Sequence, residues 1–299
     1  MRVLITGASG IIGSSLLSFL TKEFHNKNSK YIFDGLSSKD IDFTNLNDVR
    51  SFINNNPFYD IIIFLVGLAH FKGVDKDYSN FNAINYLTLK NLLLSAQDIN
   101  KVPSKIIFAS TISIYGEKIS QEVYDESSSL NPISPYAVTK LKAETFLKQN
   151  FPNKIWILRF APVYSAEFLL NIIRRTRIGF LGYRVGSGKN QLSLCHIDNI
   201  SLVIKEIIKN NIPADIYNIS DKDYYTYNDL LSVQNQKFVL RIPKSILKLI
   251  YKISNSTNFN FLKENIIKLI TNNIYPSTKI RSYVDLSSVL TDLRIKNDI

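Results

Sequence analysis

At 299 residues, with 45% hydrophobic and 20% charged side chains, the chain has the composition of one large or two merged globular domains, which excludes a disordered, collagenous or coiled-coil protein. A single cysteine, Cys195, excludes an intramolecular disulfide framework and fits a reducing compartment, and the scattered His25, His70 and His196 offer no zinc-type cluster, so no metal site is expected. The formal charge of +11 is concentrated: residues 169–197 hold five Lys/Arg and no acid, and residues 237–281 hold nine against Glu264 alone. A diphosphate-like anion would suit the first stretch and an acidic lipid or nucleic-acid surface the second; the plainer reading is lysine-rich solvated faces.

In chain order, short β-branched runs predict strands at Arg2–Thr6, Lys30–Asp34, Asp60–Val66, Lys105–Ser110 and Lys154–Arg159. Helices are expected between them, at about 11–24, 45–55, 78–98 and 135–149. The runs IIIFLV and KIIFAS do not alternate, as expected of central strands buried on both faces of a parallel sheet. Beyond Arg159 the pattern loosens to a helix after Asp198, a strand near Ile216–Ile219, and two basic amphipathic helices near 243–254 and 261–272. The expected architecture is α/β: a Rossmann-type doubly wound parallel sheet over 1–160, then a smaller α/β substrate domain over 161–299, with a soft, partly interleaved boundary. The uncharged stretch from Val3 to Thr21 superficially reads as a leader or membrane segment, but Gly7, Gly10 and Gly13 with several hydroxyls interrupt it. A soluble, cytoplasmic protein is expected.

The segment TGASGIIG, Thr6–Gly13, lies between the first strand and the first helix, where glycines permit a tight turn and let a pyrophosphate approach a helix N-terminus. Gly7, Gly10, Ile11, Ile12 and Gly13 are therefore candidates for dinucleotide binding. Its G-x-x-G-x-x-G spacing resembles the nucleotide loop of short-chain dehydrogenases/reductases, particularly their extended, sugar-nucleotide-modifying branch. Asp34, 21 residues past Gly13, is placed to accept adenosine ribose hydroxyls and to repel a 2′-phosphate, which favours NAD over NADP. Asp40 and Ile41 resemble the family's adenine-contacting pair.

Three Tyr-x-x-x-Lys pairs occur, and context separates them. Tyr86/Lys90 lies in a helix of structural apolar spacing, and Tyr275/Lys279 is interrupted by Pro276. Tyr136/Lys140 follows Ser134 and Pro135, an N-cap and first-turn signal, and stands 25 residues beyond a strand ending at Ser110-Thr111. A phenol titrates near ~10, so proton transfer at neutral pH needs a stabilised phenolate, which an ammonium one helical turn away would provide. The strings FASTISIYGE and PISPYAVTK resemble the catalytic region of the extended family. The resemblance implies Thr111, Tyr136 and Lys140 as the catalytic set, with Thr111 and Tyr136 also on the substrate. It also implies Val66 (in FLVG) and Asn85 beside the cofactor. Arg174 and Arg184, in the first basic stretch, are candidates for a substrate diphosphate.

Departures narrow the implied activity. The family's 4,6-dehydratases carry an Asp-Glu pair after the catalytic Thr, and here Ile112 and Ser113 stand there, which disfavours dehydration. Phe64 replaces a family His, and Pro162 in RFAPVYS replaces a frequent Asn, closer to some 4-ketoreductases. The resulting expectation is a sugar 4-epimerase of polysaccharide biosynthesis acting on a nucleotide- or polyprenyl-pyrophosphate-linked hexose, as a homodimer. The alternative is a 4-ketoreductase; a non-catalytic dinucleotide sensor and a nucleic-acid binder rank below both, since the first has no need of the triad and no nucleic-acid motif accompanies the charge.

Cys195-His196 are adjacent and would point to opposite faces of a strand, so no nucleophile and base are expected there; Asp198 is expected to cap the next helix. Near the C-terminus, Lys244, Lys248 and Lys252 recur beside Ile246, Leu247, Leu249, Ile250 and Ile253, with Lys263 and Lys268 extending the charge. Their apolar face is expected to pack on the substrate domain; the alternative is that it rests on an anionic membrane.

Overall fold

The computed structural model describes residues 1–25, 29–69, 78–234, 236, 238–255 and 260–293, apart from the side chains of 254–255 and 260–263; His70 and the Lys263 side chain lie outside this set. The first elements are β1 (Arg2–Thr6), α1 (Ile11–Glu23), β2 (Ile32–Leu36), α2 (Leu46–Asn55), β3 (Ile61–Phe64) and α3 (Tyr78–Asn82). A π-helical turn, Ala83–Leu87, joins α3 to α4 (Thr88–Asp98), and β4 (Lys105–Thr111), a 3₁₀ turn, α5 (Pro135–Asn150) and β5 (Ile155–Phe160) follow. Then come β6 (Val163–Tyr164), α6 (Leu170–Thr176), β7 (Arg177–Ile178), β8 (Leu181–Val185), β9 (Gln191–Leu192), β10 (Cys195–His196) and α7 (Ile197–Ile208). The remainder is β11 (Ile216–Ile219), β12 (Tyr225–Thr226), α8 (Tyr227–Ser232), β13 (Val239–Ile242), α9 (Lys244–Asn255), α10 (Asn260–Ile270) and α11 (Thr278–Arg281).

The six-stranded sheet has the order β2-β1-β3-β4-β5-β11, with parallel pairing of β1 to both β2 and β3 and of β3 to β4. Every residue of β3, β4 and β5 is buried, which is why these runs could not alternate. Leu4, Ile62, Phe64, Ile106 and Ile157 from the strands pack with Val49, Leu92, Leu93 and Leu147 from the helices. Strand order reverses between β1 and β3, the position where open α/β sheets form a ligand crevice at the strand C-termini. Strand β2 runs two residues later than its sequence suggests, so Asp34 falls mid-strand opposite Leu4.

The chain forms two compact units: Met1–Ile114, Ser134–Arg159 and Ser201–Tyr217 make the first, and Tyr115–Ile133, Phe160–Ile200 and Asn218–Ile299 the second. It therefore crosses between them more often than a single boundary near 160 implies. The irregular pattern after Arg159 concealed a three-stranded sheet, β13-β8-β7, within the second unit. There, Tyr183 and Val185 of β8 pack with Ile266 and Ile270 of α10 and with Leu247 and Tyr251 of α9. The expected packing of the α9 apolar face is thus corrected. Leu247 and Tyr251 make the contact, whereas Ile246, Leu249, Ile250 and Ile253 are exposed.

Candidate active site

The glycine loop is shaped by two atoms that are absent. Gly7 has φ +75°, and a Cβ there would stand 3.1 Å from the backbone of Leu65 and Val66 just past β3. A Cβ on Gly13 would lie 2.2 Å from the Gly7 carbonyl oxygen. These two positions hold the loop at the β1/β3 crevice and bring the first turn of α1 hard against it. Gly10 is the N-cap of α1, no side chain caps that end, and no acid stands in its first turn. The positive end of a 13-residue helix is thus left for an anion such as a dinucleotide pyrophosphate. Ile11 is exposed and Ile12 half-buried at this end.

Three of the expected cofactor contacts already have protein partners. The Asp34 carboxylate accepts from Arg2 Nε at 2.6 Å, with both side chains partly exposed. Asp40 accepts from the amide and hydroxyl of Ser37, each at 2.7 Å, which holds its carboxyl below the usual range, and Ile41 joins the core. Asn85 is buried in the π-helical turn, where Oδ1 accepts from Leu68 N at 2.7 Å and Nδ2 donates to Leu68 O and to Thr139 Oγ1, each at 3.2 Å. Asn85 therefore fastens the segment after β3 to the helix that carries Tyr136 and Lys140.

That helix, α5, begins where Ser134 Oγ accepts from Ala137 N at 3.3 Å and Pro135 fills the first turn. Tyr136, half-buried at its start, stands beside Thr111 at the end of β4, near enough for that hydroxyl to act on the phenol. Burial pushes the phenol up to about 12, and the Thr111 contact pulls the other way. Lys140, one turn on and nearly sealed from solvent, donates to Ala109 O at 3.0 Å and Val66 O at 3.3 Å. Burial lowers its ammonium to about 7, with Glu144 opposing. In the protein alone Lys140 is turned to backbone carbonyls, and Thr111 is the group beside Tyr136.

Sequence reasoning missed the next residue on the same helical face. Glu144, four beyond Lys140, is fully buried and accepts from Ser110 Oγ at 2.6 Å and from Arg159 Nε and Nη2 at 3.1 and 2.8 Å. The spacing Tyr136, Lys140, Glu144, Lys148 was the available signal.

In the second unit, Arg174 is exposed on α6, whereas its neighbour Arg175 turns inward, donating to Asn171 O at 2.7 Å and acting electrostatically on Tyr227, Lys268 and Tyr275. Arg184 donates to Asn228 at 3.0 Å, and its buried Nε has no partner among the described residues. A cavity of about 460 Å³ in this unit is lined by Glu117, Lys118, Tyr251 and Glu264 among others. Buried Glu117 accepts from Tyr275 at 2.8 Å, and its Oε2 is unpartnered among the described residues. Cys195 is buried and its thiol is pushed well up by burial. His196 Nδ1 accepts from Asp198 N at 3.2 Å, so the histidine rather than Asp198 supplies that contact at the start of α7. Among the described residues, no group of His, Cys, Asp and Glu could hold a metal ion, and no helix is long and apolar enough to cross a membrane.

A Bacillus subtilis (strain 168) protein described as an uncharacterized UDP-glucose epimerase, YtcB, is 36% identical over 185 residues, 55% of this chain and 57% of that protein. An Escherichia coli O157:H7 N-acetyl-alpha-D-glucosaminyl-diphospho-ditrans,octacis-undecaprenol 4-epimerase is 24% identical over 288 residues, 94% of this chain and 84% of its own length. The match spans less than three fifths of the Bacillus subtilis relative and of a Dictyostelium discoideum dTDP-D-glucose 4,6-dehydratase, at 57% and 58%. Among solved structures, a Thermus thermophilus UDP-glucose 4-epimerase in complex with NAD superposes with a TM-score of 0.72 at 18% identity, over 100% of this chain and 98% of that one, which shows the shared fold. The sequence model of the NAD dependent epimerase/dehydratase family matches residues 3–220. That span runs from the first strand through the glycine loop and the Thr111, Tyr136 and Lys140 cluster to the end of β11, and the chain belongs to the NAD dependent epimerase/dehydratase family.

Proposed function

We propose that this protein is an NAD-dependent sugar 4-epimerase acting on a hexose linked to a nucleotide or to a polyprenyl pyrophosphate. The observation that carries the reading is the Thr111–Tyr136 hydroxyl pair with Lys140 one turn behind it, beside a glycine loop built for a pyrophosphate. Bound NAD would take hydride from C4 of the sugar and return it to the other face. Gly7, Gly13 and the free N-terminus of α1 would hold its pyrophosphate, and Lys140 would reach its ribose.

Tyr136 would take the proton of the C4 hydroxyl and later give it back, with Thr111 orienting the same oxygen. For that, the phenol must ionise far below its value in the protein alone, so a positive charge has to approach it in the loaded site. Lys140 is the nearest candidate on the helix, its ammonium leaving the carbonyls of Val66 and Ala109 or acting through the ribose it holds. Dehydration is disfavoured because Ile112 is buried and Ser113 donates its amide back to Thr111 Oγ1 at 3.2 Å, so no acid pair follows the threonine.

One observation favours a second reading, a 4-ketoreductase: Pro162 stands where an epimerase-like Asn would be expected. The test offers the purified protein UDP-, GDP- and polyprenyl-pyrophosphate-linked hexoses with NAD, and nucleotide-linked 4-keto-6-deoxyhexoses with NADH, following C4 configuration by NMR and NADH by absorbance. Inversion with no net NADH change supports the epimerase. Consumption of NADH with a 4-keto sugar supports the reductase. Dehydration to a 4-keto-6-deoxy sugar, or no turnover across the panel, refutes both.

A further inference from the structure

Helix α9 has two apolar faces. Leu247 and Tyr251 turn inward onto Tyr183, Val185, Ile266 and Ile270. Ile246, Leu249, Ile250 and Ile253 fall at i, i+3, i+4 and i+7, the spacing of a single stripe, and this stripe faces out, with Ile246 49% exposed and Leu249 and Ile253 each 60%. Exposed apolar side chains also precede the helix in the chain: Phe238, just before β13, is 78% and Leu240, within it, 58% exposed. Strand β8, the partner of β13, is joined to β7 by Gly179-Phe180, and this turn holds Phe180 out at 86% exposure. Scattered exposed leucines are ordinary, but a whole helical stripe with an aromatic loop tip and an apolar edge strand in the same unit is not.

The charge around the stripe is of one sign. Residues 238–255 contain Arg241, Lys244, Lys248 and Lys252 and no acid. Lys244 is engaged with Asn190 Oδ1 at 2.6 Å, while Lys248 and Lys252 are exposed on the flank between the inward and outward faces. A second copy of the chain meeting this stripe across a two-fold axis would set these cations against their own equivalents. A nucleic acid would use the lysines and leave the isoleucines in water. A bilayer with anionic headgroups satisfies both, taking the apolar stripe into the acyl boundary and the lysines into the headgroup layer. We propose that the outward face of α9, with Phe180 and the edge strand β13, binds an anionic phospholipid membrane and holds the second unit against it.

The test is co-sedimentation of the full-length protein with vesicles of phosphatidylcholine and phosphatidylglycerol in equal parts, and with phosphatidylcholine alone. Binding is expected to the anionic vesicles, with loss at high salt. The pair Lys248→Gln/Lys252→Gln should weaken it about fivefold or more, and Leu249→Asp/Ile253→Asp should abolish it. Both pairs change exposed side chains, and an unaltered circular dichroism spectrum and melting curve would show the fold intact. The proposal is overturned if the wild-type protein stays in the supernatant at low salt, or if either folded double variant sediments like wild type. It is equally overturned if light scattering shows Leu249→Asp/Ile253→Asp splitting a dimer, since a second copy would then cover the stripe. The vesicles carry no sugar, so failure here leaves the proposed reaction standing, and failure of that reaction leaves this result readable.

Discussion

Lys140 Nζ donates to the carbonyl of Ala109 at 3.0 Å, and Ala109 stands two residues before Thr111, the hydroxyl beside Tyr136. The helix and strand are thus joined by a cation that burial has made easy to neutralise, with a pKa of about 7.

The first prediction follows from that value. Between about 7 in the folded protein and the ordinary 10.5, the unfolded chain binds the Lys140 proton and the folded chain does not, so this group makes stability rise with pH across that window. Tyr136 has the opposite sign, since its raised value costs stability as pH climbs from 10 to about 12. Lys140→Met should stabilise the cofactor-free protein below about pH 7 by about 1–3 kcal/mol and flatten the rise, while removing activity. Urea unfolding at several pH values tests this; an undiminished slope in the variant would show that Lys140 is not its source.

Tyr136→Phe should lower turnover roughly a hundredfold or more with little change in NAD affinity, because it removes the proton carrier and not the loop that holds the dinucleotide. Fluorescence titration with NADH beside a turnover assay separates the two. Activity above about a tenth of wild type would end the assignment.

Asp34→Ala should relax discrimination against NADP, since the carboxylate that would repel a 2′-phosphate is lost. The Arg2 contact sharpens the experiment: Arg2→Gln keeps the carboxylate and should keep the preference. A wild-type protein that already prefers NADP would mean that Arg2 neutralises Asp34 too well for it to discriminate.

Glu144→Ala should cost about 3–5 kcal/mol, because it strands the Arg159 guanidinium, itself 1% exposed, without its counter-charge. The double variant Glu144→Ala/Arg159→Met should recover part of the loss. Chemical denaturation of the two variants checks both statements, and additive losses would contradict the pairing.

Much of the first unit was legible because buried parallel strands cannot alternate and because a glycine loop between strand and helix admits few other uses. The start of the helix that carries Tyr136 was legible from Ser134 and Pro135, whose capping role is local. The surroundings of Asp34 were not: Arg2 reaches it only through the β1–β2 register, 32 residues away in sequence. Arg174 and Arg175 are adjacent, and only the seating of α6 decides which turns inward. Helix α9 shows the limit most plainly. Its periodicity announces an apolar stripe but not whether protein covers it, and two other apolar positions, Leu247 and Tyr251, took the contact instead.

The place of β11 in the sheet bears on how the chain can be divided. Ile216–Ile219 lies beside β5, whose residues Ile155–Phe160 are all buried. A fragment cut at Phe160 would keep the glycine loop and the tyrosine helix yet expose the flank of an apolar strand with its amides and carbonyls unpaired, a template for the same flank on another fragment. Such a piece should come out of cells as aggregate, and supplying residues 201–219 in trans should be what rescues it.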